Sequence, residues 1–155
     1  MSGERPVALI TGAGRGLGRA LARAFGAEGY DLLLVVRQES DALKLADELT
    51  AEILVADLAD ELAPVKIFEF LMSRFGRLEV LINNAAVHGP IGLLGSLNQR
   101  AWDQALRVDL LAPASLCRLA VELMKKVGRG RIINLAGGGA SGPRPRFTAY
   151  ATAKA

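Results

Sequence analysis

A tyrosine and a lysine stand four positions apart, Tyr150 and Lys154, in the stretch "YATAKA". On a helix that spacing places both side chains on one face. A phenol is a poor base near neutrality, with a reference pKa of about 10, and an adjacent ammonium favours its phenolate. The pair suits a general acid acting on a carbonyl oxygen, or a general base acting on an alcohol. Far upstream the chain reads "TGAGRGLG" over 11–18. Glycines there permit a tight turn and close approach of backbone N–H groups to a pyrophosphate. Two shorter patches follow: "ADL" at 56–58 and "NNAA" at 83–86.

The elements that must position these groups follow from periodicity. Short apolar runs at 7–10, 31–36, 52–56, 78–82 and 131–135 read as five strands, buried on both faces where no polar residue interrupts them. Between them lie helical patterns. Leu17, Ala20, Leu21, Ala24 and Phe25 form one predicted face after the glycine turn. A helix is predicted over 41–49 with Ser40 as N-cap. Another starts near Pro64 and carries a stripe of Val65, Phe68, Leu71, Met72 and Phe75. A long helix is expected over 101–127, kinked at Pro113 and closed by Gly128, with Trp102, Leu106 and Leu110 as core. The last begins near Phe147. Strands alternating with such helices imply βαβ units, hence an α/β, Rossmann-like, doubly wound parallel sheet. One domain over 1–155 is expected, with no linker.

The glycine turn lies between strand and helix, the context in which such glycines bind dinucleotides. Its helix N-terminus adds partial positive charge where phosphates would sit. The second strand ends at Val36 and Arg37, and lacks there the acid that would bond an adenosine ribose 2′-OH; Glu39 lies two residues further. A guanidinium suits a 2′-phosphate, with Arg15 in the turn as a second. The expected cofactor is NADP(H) in preference to NAD(H).

Bulk properties narrow the classes. Net charge is +3, and the basic residues are scattered, which argues against nucleic acid. The single cysteine, Cys117, permits no internal disulfide and reads as a small core residue. With one histidine, His88, no metal site of the usual ligand types is expected. No stretch is long and apolar enough to span a membrane, and no signal core opens the chain; a cytoplasmic protein is expected.

In order and at matching spacings, these motifs resemble the short-chain dehydrogenase/reductase family. "TGAGRGLG" is similar to its Thr-Gly-x-x-x-Gly-x-Gly turn, which assigns cofactor contacts to Thr11, Gly12, Arg15, Gly16, Leu17 and Gly18, alongside Arg37. The resemblance adds Asp57 and Leu58 at the adenine, and Asn83 and Ala85 from "NNAA", where Ala86 replaces a usual Gly. It makes Tyr150 the proton donor or acceptor and gives Lys154 the nicotinamide ribose; both then also count as cofactor contacts. It implies a small-molecule carbonyl or alcohol substrate and a homo-oligomer packed through the long helix and the Tyr/Lys helix. Three departures stand out. Ala136 and Gly137 occupy the positions of the usual serine, with Ser141 the nearest hydroxyl. Asp109 replaces a usual asparagine in the long helix. The chain is also incomplete relative to the family, ending before its later strands and substrate lid. Two alternatives therefore stand beside the oxidoreductase: a dinucleotide-binding fragment without hydride transfer, and an interaction protein pairing through its fifth strand as an open edge.

Overall fold

A computed structural model describes residues 5–155; the opening residues 1–4, included in the reading of the N-terminus above, lie outside them. Five strands form one parallel sheet: β1 (Val7–Thr11), β2 (Asp31–Val36), β3 (Glu52–Val55), β4 (Val80–Asn83) and β5 (Arg131–Asn134), in the spatial order β3-β2-β1-β4-β5. The helices are α1 (Gly16–Ala27), α2 (Glu39–Ala46), α3 (Ala63–Arg74), α4 (Gln99–Leu106), α5 (Ala112–Val127) and α6 (Thr148–Lys154). No helix among the described residues is long and apolar enough to cross a membrane.

Side-chain alternation divides the core in two. Val7, Leu9, Leu33, Val35 and Leu81 point to one face and meet α3 and α5 through Ile67, Leu71, Leu116 and Ala120. Ala8, Ile10, Leu32, Leu34 and Ile82 point to the other and meet α1 and α2 through Ala22 and Leu45. Both faces being covered, β1 and β2 read as unbroken apolar runs instead of alternating ones. Each fully buried leucine contributes about 2 kcal/mol of transfer free energy. The sheet's outer strands differ: β5 lies at an edge with Ile133 42% exposed.

Several local expectations shift. The face of α1 turned to the sheet is Gly18 and Ala22 with Leu21 and Phe25 beside them, while Leu17, Ala20 and Ala24 are exposed. Close approach sets this rotation: a Cβ on Gly18 would lie 2.2 Å from the Gly12 carbonyl oxygen, so only glycine admits the contact. Helix α2 begins two residues early, with Gln38 at the N-cap and Ser40 already inside. Glu39 and Asp41 in its first turn supply negative charge to the helix N-terminus without a hydroxyl cap. On α3 the buried stripe is Pro64, Ile67, Phe68 and Leu71; Val65 and Met72 lie on its exposed flank.

The long helix breaks differently from a simple proline kink. Residues Arg107–Leu111 form a π-turn between α4 and α5, and Pro113 sits in the first turn of α5. Pro113 has no N–H to offer the carbonyl four residues back, that of Asp109. The widened turn absorbs the defect, with the Ala112 N–H donating to the Arg107 carbonyl. Leu110 is left 42% exposed, outside the core. Gly128, with φ of 77°, ends α5 in the left-handed conformation.

Candidate active site and nucleotide cleft

The chain runs outward from β1 to β2 and β3, then crosses back to place β4 on the other side of β1. That reversal opens a crevice beyond the carboxyl ends of β1 and β4, where open α/β sheets bind ligands. The glycine turn fills one wall. Gly12 takes a left-handed φ of 67°, and a Cβ there would sit 2.8 Å from the Ala85 Cα. Gly16, at φ 54°, has nothing within 4 Å of a would-be Cβ and faces open space. Arg15 enters α1 extended and without a side-chain cap, and the first turn holds no acid. The amide groups of that turn and the positive end of the helix are thus directed at the cleft, with no acid of their own helix's first turn to oppose them.

The cleft has a volume of about 460 Å³. Of the residues singled out from sequence, Gly12, Arg15 and Gly16 line it, as do Arg37, Asp57, Leu58 and Ala85. Asp57 also braces its own loop, one carboxylate oxygen accepting the Ala59 N–H at 2.9 Å. The others act behind the wall. Thr11 is buried, and its hydroxyl accepts from the N–H groups of Asn84 and Ala85, both at 3.1 Å, clamping the end of β4 against β1. Gly18 is the packing contact already described, and Leu17 is 54% exposed at the helix start. Asn83 turns away from the cleft: its amide donates to Asn134 Oδ1 at 2.8 Å and Cys117 Sγ at 3.3 Å, and its own Oδ1 is buried without a partner. Cys117 is accordingly half-buried beside polar groups.

Sequence reasoning missed Asn84 and Asp41. Asn84 lines the cleft and donates to the carbonyls of Thr11 (2.9 Å) and Gly12 (3.1 Å), holding the turn from the side. Asp41 lies against Gly14, where a Cβ would come within 2.7 Å of its Oδ2. Its position four residues after Arg37, in the first turn of α2, was the available signal. The cleft therefore carries two guanidinium groups, Arg15 and Arg37, and two carboxylates, Asp41 and Asp57.

Tyr150 and Lys154 share α6, as their spacing requires. Lys154 Nζ donates to the Leu135 carbonyl at 3.1 Å, tying the helix to the end of β5. Two glycines let α6 lie against the loop that follows β5. A Cβ on Gly137 would be 2.2 Å from the Tyr150 hydroxyl oxygen, and one on Gly139 would be 2.4 Å from the Ala151 Cα. Residue 137 is therefore the position that faces the phenol, and it carries no side chain. Ser141 is exposed in the loop beyond. Trp102, expected in the core, is half-buried and donates through Nε1 to Thr148 Oγ1 at 3.3 Å, linking α4 to α6.

Asp109, in the π-turn, is 4% exposed. Its Oδ1 accepts the Val87 N–H at 2.8 Å, while Oδ2 is buried without a partner. Burial pushes its carboxyl above the usual range, against the Val87 N–H and the charges of Lys154 and His88, which pull the other way. No cluster of three or more His, Cys, Asp or Glu side chains suited to a metal occurs among the described residues.

A family model described as short chain dehydrogenase matches residues 6–155. A short chain dehydrogenase/reductase of Colletotrichum higginsianum, dpchG, is 36% identical over 155 residues, covering 94% of this chain and 57% of the relative. An L-fucose dehydrogenase of Mus musculus is 32% identical, covering 94% of this chain and 54% of the relative. The crystal structure of a metagenomic short-chain oxidoreductase in complex with NADP superposes with a TM-score of 0.89 at 32% identity, covering 96% of this chain and 70% of that one. The chain spans about half the length of the curated relatives it matches.

Proposed function

From the premise that this chain belongs to the short-chain dehydrogenase family, we propose that it is the nucleotide-binding and proton-transferring part of an NADP(H)-dependent oxidoreductase acting on a small carbonyl or alcohol. The observation that carries the reading is the shared carboxyl edge of the sheet. The glycine turn and Arg37 approach that edge from β1 and β2, and the Tyr150–Lys154 helix approaches it from β5.

The residues fit a dinucleotide. Gly16 opens onto free space, α1 presents uncapped amides with no acid in its own first turn, and Arg15 and Arg37 line the same cleft. These amides would hold the pyrophosphate, and the two guanidinium groups a 2′-phosphate. Asp57 and Leu58 flank the place left for adenine. When bound, the nicotinamide would supply or accept a hydride at the substrate carbon. In the reducing direction the Tyr150 hydroxyl gives its proton to the carbonyl oxygen, and in the oxidising direction it takes one from the alcohol. Lys154, anchored on the Leu135 carbonyl and on the same helix as Tyr150, would hold the nicotinamide ribose.

Cofactor titration tests this reading. NADPH is expected to bind at least about tenfold more tightly than NADH, the worth of one charge-assisted contact. Arg37→Asp should reverse the order. Equal affinities in the unaltered chain would defeat the NADP assignment, and failure of both to bind would defeat the enzyme reading.

A further inference from the structure

The roles assigned so far leave out Arg144. Its guanidinium carbon lies 5.0 Å from the centre of the Tyr150 ring and 4.2 Å from that of Phe147. His88 meets the same two rings edge-on, with centroids at 5.4 Å and 5.6 Å. A cation over an aromatic face is held by the ring quadrupole. No side-chain hydrogen bond of Arg144 is found among the described residues, so its N–H groups remain available as donors.

The backbone fixes this arrangement. The Phe147 N–H donates to the Arg144 carbonyl at 3.2 Å. Arg146 adopts a left-handed φ of 68°, alone among the described non-glycine residues. Its carbonyl accepts the Gly92 N–H at 3.0 Å, which joins this loop to the one between β4 and α4. A strained residue persists where surrounding contacts over-determine it, and such strain concentrates at ligand sites.

Charge completes the case. Lys154 and His88 both act electrostatically on Asp109, so the site's buried acid already faces two cationic or potentially cationic groups. Arg144 is half-buried and takes part in none of the ion pairs found among the described residues. A partly desolvated guanidinium with a free donor edge is a receptor for a planar anion. Its perch on the Tyr150 ring puts any such anion within a few bonds of a carbonyl held by the Tyr150 hydroxyl.

We propose that the substrate is a keto acid, a ketone whose carboxylate lies one to three carbons from the reacting carbon and is bound through the donor edge of Arg144. The proposal rests on the reductase reading for the role of Tyr150, but its binding contact is tested separately.

The probes are acetoacetate and its methyl ester, which differ by one charge. Each is titrated calorimetrically into the full chain, with and without saturating NADPH. The acid is expected to bind at least about tenfold more tightly than the ester. Arg144→Gln should remove that preference while leaving NADPH affinity unchanged, and Arg144→Lys should retain part of it. Equal binding of acid and ester by the unaltered chain overturns the proposal. So does a preference that survives Arg144→Gln, or a variant that weakens acid and ester alike, since that would make Arg144 a loop brace. NADPH affinity in the same samples reports on the reductase reading, and the acid-to-ester ratio without cofactor still decides the role of Arg144.

Discussion

Two buried carboxylates sit at opposite ends of the sheet, and the fold treats them in opposite ways. Glu79, just before β4 at the amino edge, is 7% exposed. One oxygen accepts the Val7 N–H at 2.8 Å, and the other accepts from Arg77 at 2.9 Å through Nε and 2.5 Å through Nη2. Burial pushes its carboxyl up, but the Arg77 hydrogen bonds, the Val7 N–H and the charges of Arg77 and Arg129 outweigh it and hold the group below the usual range. Asp109, at the carboxyl edge, keeps one oxygen unpartnered and is pushed the other way. The second orphaned buried side-chain atom found among the described residues, Asn83 Oδ1, lies at that same edge. The amino edge is thus saturated with internal partners and serves stability. The carboxyl edge retains polar capacity that the fold itself does not use.

The strongest way to break this contrast is Glu79→Ala. It strips the Val7 N–H of its acceptor and Arg77 of its counter-charge, and should cost about 3 kcal/mol of unfolding free energy by urea denaturation. Nucleotide affinity of the folded protein should not change. A loss below about 1 kcal/mol would show that the amino edge is not the brace described. Next in size is Gly18→Ala, whose Cβ would meet the Gly12 carbonyl. Pushing α1 off the turn should cost about 2 kcal/mol and, unlike the first variant, weaken NADPH binding as well. Unaltered cofactor affinity would separate the glycine packing from the cleft.

The subtlest test is pH. Glu79 has a lowered carboxyl, so the unfolded chain binds its proton more readily; its stabilisation is present above the ordinary carboxylate range and is lost as pH falls through the folded value. Asp109 has a raised one, so its contribution is complete below that range and is lost as pH rises through the folded value. Asp109→Asn should therefore change stability little near pH 3 and become progressively more favourable relative to the parent toward pH 7. Glu79→Gln should show the reverse, its deficit shrinking as the pH is lowered. Parallel curves for the two variants would erase the distinction.

Much of this was legible before the structure. The five apolar runs sit within two residues of the observed strands, because burial on both faces leaves a continuous local signature. The glycine turn, Arg37 and the Tyr150–Lys154 spacing were readable because each depends on residues adjacent in the chain. The α1 face was read one step off, because its rotation answers to a carbonyl on another element, that of Gly12. The π-turn was read as a kink at Pro113, since where a helix absorbs a missing donor depends on what packs around it.

Composition and periodicity determined by themselves the alternation of strand and helix, the sheet's two-sided burial and the chemical types available for catalysis. These follow from local hydrophobic patterning and covalent spacing. The tertiary structure alone decided that Asn83 turns inward while Asn84 lines the cleft, that position 137 is the one facing the phenol, and that Arg144 lies on the Tyr150 ring. Each of these is a contact whose direction is set by the packing of whole elements, and no run of neighbouring residues encodes that direction.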